Sequence, residues 1–223
     1  MASNKVCAVF GAGPGLGLSV AKHWASQGYK VAACRRKVDE AKSYENINKN
    51  ITGFGVDVRN EDAIKTAVDE IESSLGPIHT MIYNVGGGIW NTYDKIDIVK
   101  FNRALMNNVT GLLVASQQVA PRMLQRGFGV IGVTGATASL RGKPFTAGFA
   151  PAKGGQRLLC QSLARDLGPK NIHVFYGIID GVIGKGDGKI DPDCIAQVYW
   201  DLSMQPRSCW TFEFDVRPSV ENW

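Results

Sequence analysis

The sequence predicts an α/β domain: a single doubly wound, mainly parallel sheet of about seven strands with helices on both faces. Short apolar runs alternate with longer segments of helical period along the chain, and the first run leads straight into a glycine-rich turn. The 223 residues fit one such domain, residues 1–223, without a second.

The elements follow in order. Val6 to Phe10 is continuously apolar, as a strand buried on both faces must be. Leu16, Val20 and Trp24 recur four apart, the face of a helix that ends near Gly28. Val31 to Cys34 reads as the second strand and Gly53 to Val58 as the third. Asn60 is placed to cap a helix whose buried face is Ile64, Ala67, Val68, Ile71 and Leu75, and Gly76-Pro77 stops it. Thr80 to Asn84 is a fourth strand, Leu105 to Met123 a long helix, Gly129 to Val133 a fifth strand, and Phe149 to Leu167 a second long helix ended by Gly168-Pro169. His173 to Ile179 is the sixth strand. Asp191-Pro192 opens a helix, and the alternating Cys209 to Val216 predicts a last, edge strand.

Composition excludes several classes. Hydrophobic residues at 44% and charged residues at 20% describe a chain with a real core rather than a disordered one. The net charge of +5 is scattered, with Arg35-Arg36-Lys37 the one basic cluster of note, so no nucleic-acid partner is expected. Five cysteines without CxxC spacing indicate reduced thiols, and His23, His79 and His173 do not form a ligand set, so no metal is expected. No apolar run is long enough for a bilayer, and MASNKVCAVFGAG passes directly into a strand; a cytoplasmic protein without a membrane partner is the expectation. Asn50-Ile51-Thr52 matches a glycosylation acceptor by chance.

GAGPGLG, from Gly11 to Gly17, lies between the first strand and the first helix. In that context Gly11, Gly13, Pro14, Gly15, Leu16 and Gly17 form a Rossmann-type turn, where the backbone approaches a pyrophosphate and the helix opening offers free N–H groups. The alternative is a tight turn that binds nothing. The second strand ends in Cys34-Arg35-Arg36 rather than in the carboxylate that suits a ribose 2′-hydroxyl. Arg35 and Arg36 suit a 2′-phosphate, so NADP(H) is expected over NAD(H); solvated loop arginines are the bland reading.

With these residues placed, the chain resembles the short-chain dehydrogenase/reductase family over essentially its whole length. GAGPGLG corresponds to the family's TGxxxGxG turn, Asp57-Val58 to its adenine-binding Asp-Val pair, and Asn84-Val85-Gly86-Gly87 to NNAG. Asn108-Val109-Thr110-Gly111 corresponds to NVxG and Phe149-Ala150-Pro151-Ala152-Lys153 to the YxxxK helix. The stretches VTGATASLRG, IHVFYGIIDG and QPRSCWTFEFDVRP resemble a divergent subgroup of general oxidoreductases. The resemblance implies cofactor contacts from Asp57, Val58, Asn84, Val85, Gly86, Lys153, Gly181 and Ile183.

In the family mechanism a tyrosine exchanges a proton with the substrate oxygen, a lysine holds the ribose and lowers the tyrosine pKa, a serine orients substrate and a helix asparagine holds a relay water. Lys153 and Asn108 keep their places, but the tyrosine position is Phe149 and the serine position Ala136. Thr137 and Ser139, within a few residues of Ala136, and Tyr93 are the candidate surrogate hydroxyls. Three readings stay open: a reductase of a small carbonyl, alcohol or conjugated substrate with a non-standard proton donor; a non-redox cyclase, isomerase or lyase on the same scaffold; and a catalytically inactive NADP(H) sensor or interaction protein. Asp180 stands where the family has proline, facing the nicotinamide end or stabilising a turn. Gly181 to Asp191 is a short, glycine-rich counterpart of the substrate-covering loop, an open pocket or a mobile lid. Ile89 to Tyr93 either lines the substrate space or packs beneath the long helix. The resemblance implies a homodimer or homotetramer, assembled through the two long helices that contain Asn108 and Lys153.

Overall fold

A computed structural model of the protein describes residues 5–221. Seven parallel strands stand in the order β3-β2-β1-β4-β5-β6-β7: β1 Val6–Phe10, β2 Lys30–Arg35, β3 Ile51–Gly55, β4 Ile78–Tyr83, β5 Gly129–Thr134, β6 Ile172–Ile179 and β7 Glu213–Val216. The helices are α1 Leu16–Ser26, α2 Val38–Lys42, α3 Glu61–Ser74, α4 Ile98–Leu105, α5 Gly111–Arg126, α6 Ala150–Leu167 and α7 Pro192–Ser203.

Because side chains alternate along a strand, β1 serves two cores at once. Val6, Ala8 and Phe10 join a cluster with α3, α5 and α6, whereas Cys7 and Val9 face α1 and α7. The Leu16, Val20 and Trp24 face is buried as its spacing requires, with the Trp24 ring edge-on to Trp200 of α7 at 5.4 Å. Asn60 caps α3 by accepting the Ala63 N–H at 3.1 Å, and Asp191 caps α7 by accepting that of Asp193 at 2.9 Å.

Several boundaries differ from those the sequence predicts. The third strand is Ile51–Gly55 rather than Gly53 to Val58, because the edge strand pairs with β2 only from Val31↔Ile51 to Arg35↔Gly55. Val56 and Val58 are buried, and that burial mimics strand, but they lie in the turn beyond it. The helix expected from Leu105 begins earlier: α4 passes through a π-helical turn, Met106–Thr110, into α5. The last strand covers Glu213–Val216 alone, since Arg207–Cys209 is a 3₁₀ turn. α2 has one buried residue, Ala41, and so no apolar period to read.

The strand order reverses between β1 and β4, whose neighbours diverge on either side. At such a switch point a crevice opens beyond the carboxyl ends of the strands. Gly11 and Asn84, which follow β1 and β4, stand at that place, and Asn84 Nδ2 donates to the Gly11 carbonyl at 2.9 Å.

Candidate active site

The glycine turn is built around two close approaches and two openings. Gly11 has φ +83°, and a Cβ there would lie 2.8 Å from the Val85 nitrogen. A Cβ on Gly17 would lie 2.3 Å from the Gly11 carbonyl oxygen, so α1 can cross the turn this closely only with glycine. Gly13 and Gly15, by contrast, have nothing within 4 Å of a built Cβ. They face the crevice. The opening of α1 has no side-chain cap and no acidic residue in its first turn, which leaves its N–H groups and positive dipole end to an anion. Pro14 is exposed at the rim, Leu16 is buried beneath it, and Gly17 supports the turn without lining it.

On one side of this turn a cleft of about 810 Å³ runs to the ends of β2 and β3, lined by Arg35, Arg36, Asp57, Val58, Asn84 and Val85 among others. Arg35 donates to the Tyr44 hydroxyl at 2.7 Å and pairs with Glu40, which also pairs with Lys37 at 3.0 Å. Asp57 accepts from Arg59, Nε at 2.9 Å to Oδ1 and Nη2 at 2.5 Å to Oδ2, and those bonds hold its carboxyl down at about 2. Arg59 and Glu40 also line the cleft and were not legible as site residues. The Asp57-x-Arg59 spacing was the available signal for the first.

On the other side lies a second cleft of about 840 Å³, floored by Gly86, Thr134 and Lys153 and bounded by Thr137, Phe149 and Asp180. Lys153 is buried, donating to the Thr134 carbonyl at 2.9 Å and to Gln156 Oε1 at 3.0 Å; burial lowers its pKa to about 7. Asn108, on the π-helical turn, is fully buried and donates to the carbonyls of Gly87 and Ala104, each at 2.8 Å. Its Oδ1 is buried without a partner. Gly86 separates the two: a Cβ there would sit 3.1 Å from Lys153 Nζ and 3.6 Å from Asn108 Oδ1. Gly181, at φ +151°, and Ile183 line the far wall. The loop they begin is closed by backbone bonds, Gly184 to Ile190 at 2.9 Å and Ile190 to Val182 at 2.9 Å.

The three substitute hydroxyls separate. Thr137 lines the cleft and donates to Asp180. Ser139 turns away and donates to the Ala136 carbonyl at 2.6 Å, and Tyr93 stands 85% exposed on a 3₁₀ turn outside both clefts. Among the described residues no tyrosine lines either cleft. Phe149 packs its ring at 4.9 Å from that of Trp90, so the expected phenol position is an apolar wall and Trp90 faces the cleft. The histidines lie elsewhere: His173 stacks on Trp210, and His79 meets Phe128 and Tyr29. The described residues contain no cluster of metal ligands and no helix long and apolar enough to cross a membrane.

The family model for short chain dehydrogenases matches residues 5–183. The chain belongs to the short-chain dehydrogenase family. It is 28% identical to the mouse 3-oxoacyl-[acyl-carrier-protein] reductase over 172 residues, covering 77% of this chain and 72% of that one. Among solved structures, a short-chain dehydrogenase from Rhodopseudomonas palustris is 35% identical and superposes with a TM-score of 0.89, covering 97% of this chain and 99% of that one. An alcohol dehydrogenase from Thermococcus sibiricus complexed with 5-hydroxy-NADP shares the fold at 21% identity, with a TM-score of 0.88 and 98% of each chain covered.

Proposed function

We propose that the protein is an NADP(H)-dependent oxidoreductase of a small carbonyl, alcohol or conjugated substrate, working without the family's tyrosine. The observation that carries this reading is the floor shared by the two clefts: Gly86 leaves room between the Lys153 ammonium and the orphaned Asn108 oxygen, next to a glycine turn whose open side has no Cβ. A buried amine and an unpartnered buried carbonyl are destabilising features that a polar ligand and its water would satisfy. When bound, the dinucleotide supplies a hydride donor or acceptor.

The residues divide the work by chemistry. Backbone N–H groups from Gly13 to Leu16 suit the pyrophosphate. Asp57, Val58, Asn84 and Val85 suit the adenosine half, Asp57 keeping lone pairs beyond those Arg59 uses. Arg35 and Arg36 suit a 2′-phosphate, with Lys37 and Arg59 adding positive charge on the same cleft. Lys153 suits the ribose hydroxyls, and Gly181 with Ile183 the nicotinamide end. Phe149 and Trp90 offer an apolar face for the substrate. Of the substitute hydroxyls, Thr137 alone reaches this space.

Turnover tests the reading. Purified protein is given NADPH with a panel of aldehydes, ketones and enones, and NADP+ with the matching alcohols, while nicotinamide absorbance is followed. Substrate-dependent absorbance change supports the proposal; product formation at constant absorbance would instead establish non-redox chemistry. The exposed Ile98, Val99, Met106, Leu113 and Leu158 on and between α4, α5 and α6 support assembly with further copies of this chain, as homodimer or homotetramer. Sedimentation of Leu113→Glu and Leu158→Glu variants as monomers is the expected outcome.

A further inference from the structure

Resting on the oxidoreductase reading, we propose that Thr137 and Asp180 together are the proton acceptor for a substrate hydroxyl, so that the substrate cleft takes an alcohol. Thr137 follows β5 and Asp180 follows β6, two adjacent strands, which brings the pair to the carboxyl edge of the sheet where the cleft opens. Asp180 is 6% exposed. Its Oδ1 accepts the Thr137 hydroxyl proton, and its Oδ2 lies 3.0 Å from Nη1 of Arg217. An aspartate that merely stabilised a turn would accept backbone N–H groups. Among the described residues no backbone N–H donates to this carboxylate.

The direction of the Thr137 bond decides what the cleft can recognise. A threonine hydroxyl has one proton and two lone pairs, and the ionised carboxylate can only accept. With its proton given to Asp180, Thr137 Oγ presents lone pairs to the cleft. A ligand oxygen meeting it must therefore donate, which an alcohol does and a bare carbonyl does not. Arg217 pairs with both Asp180 and Asp215, which holds the Asp180 carboxylate in place beside Thr137. The other charged groups on the cleft are Lys153 from α6, Arg141 and Lys143 from the segment before it, and Glu221 from the C-terminal segment.

The step balances as follows. The substrate O–H bond breaks and its proton passes to Thr137 Oγ, as the Thr137 proton passes to Asp180 Oδ1, leaving threonine unchanged and Asp180 protonated. The carbinol C–H bond breaks, its hydrogen leaving with both electrons for an oxidised nicotinamide, and the C=O bond forms. Thr137 is thus the catalytic residue that touches substrate, Asp180 the terminal acceptor acting through it, and Arg217 a positioning residue.

The probe is trifluoroethanol, an alcohol that resists hydride loss, with its methyl ether as the analogue lacking the donor. Fluorine NMR line broadening is followed on NADP+-loaded protein, and NADP+ affinity is measured in parallel. Thr137→Val should weaken trifluoroethanol binding by about tenfold, and Thr137→Ser should restore it to within about twofold. The ether should bind wild type no better than it binds Thr137→Val. Asp180→Asn, which cannot take up the proton, should lower kcat for alcohol oxidation by about a hundredfold or more while NADP+ affinity is kept. Equal trifluoroethanol affinity in Thr137→Val and wild type, or an unchanged kcat in Asp180→Asn, overturns the pair while intact NADP+ binding leaves the oxidoreductase reading standing. Failure of the wild type to bind NADP+ overturns both.

Discussion

Replacing Lys153 by methionine should make the protein more stable and useless at once. The amine is buried among α6, β5 and the π-helical turn, and loss of water lowers its pKa from 10.5 to about 7. In the unfolded chain the group binds its proton up to about 10.5. Between these values the unfolded state therefore holds a proton that the folded state has released, and folding stability rises with pH. Below about 7 both states bind the proton and the penalty for burying the charge is constant. At about 1.4 kcal/mol per pH unit the full difference is on the order of 5 kcal/mol. Methionine removes that penalty at similar volume, but it leaves the Thr134 carbonyl and Gln156 Oε1 without a donor, costing about 1–3 kcal/mol each. The net expectation near neutral pH is a gain of about 1–2 kcal/mol. Urea denaturation of both proteins near pH 7 and near pH 10 measures it, with the m-value as a check on two-state behaviour. The gain should vanish or reverse at the higher pH, and the variant should lose dinucleotide affinity at both. A stability difference between the two proteins that does not change with pH would refute the reasoning.

The other substitutions separate folding from binding and cofactor from catalysis. Gly17→Ala forces a Cβ to 2.3 Å from the Gly11 oxygen and should lower stability by about 2 kcal/mol or more; Gly13→Ala enters open space and should fold within about 0.5 kcal/mol of wild type while weakening dinucleotide binding. Thermal melts and calorimetric titrations read the two effects. Arg36→Ala should lower NADPH affinity by about tenfold with little change for NADH, whereas Glu40→Gln, which frees Arg35 and Lys37, should raise NADPH affinity severalfold. Equal effects on both nucleotides would remove the 2′-phosphate assignment. The pair Phe149→Tyr and Ala136→Ser returns a phenol and a hydroxyl to the family positions and should raise carbonyl reduction by about tenfold or more. No gain from the pair would mean that the cleft around Trp90 does not seat a carbonyl there.

What the sequence disclosed divides along physical lines. Val6 to Phe10 was readable to the residue because a strand buried on both faces has to be apolar throughout, and Asn60 and Asp191 were readable as caps because their partners lie within one turn. α2 was not, since a five-residue helix that buries Ala41 alone has no period. Val56 and Val58 extended the third strand on paper because burial in a turn and burial in a strand look alike in sequence. At the site, Lys153 and Asn108 were placed by motif spacing, and the structure brings them to the two sides of Gly86. The choice among Thr137, Ser139 and Tyr93 required side-chain direction, which spacing does not carry. The partners of Asp180 come from the segments after β5 and after β7, so its role was not visible along the chain.

Isothermal titration of the purified protein with NADPH and with NADH tests the central claim most directly. Saturable binding of NADPH, clearly tighter than that of NADH, is the result expected of an open glycine turn flanked by Arg35 and Arg36. A folded protein that gives no heat with either nucleotide, or that holds NADH as tightly as NADPH, contradicts the account.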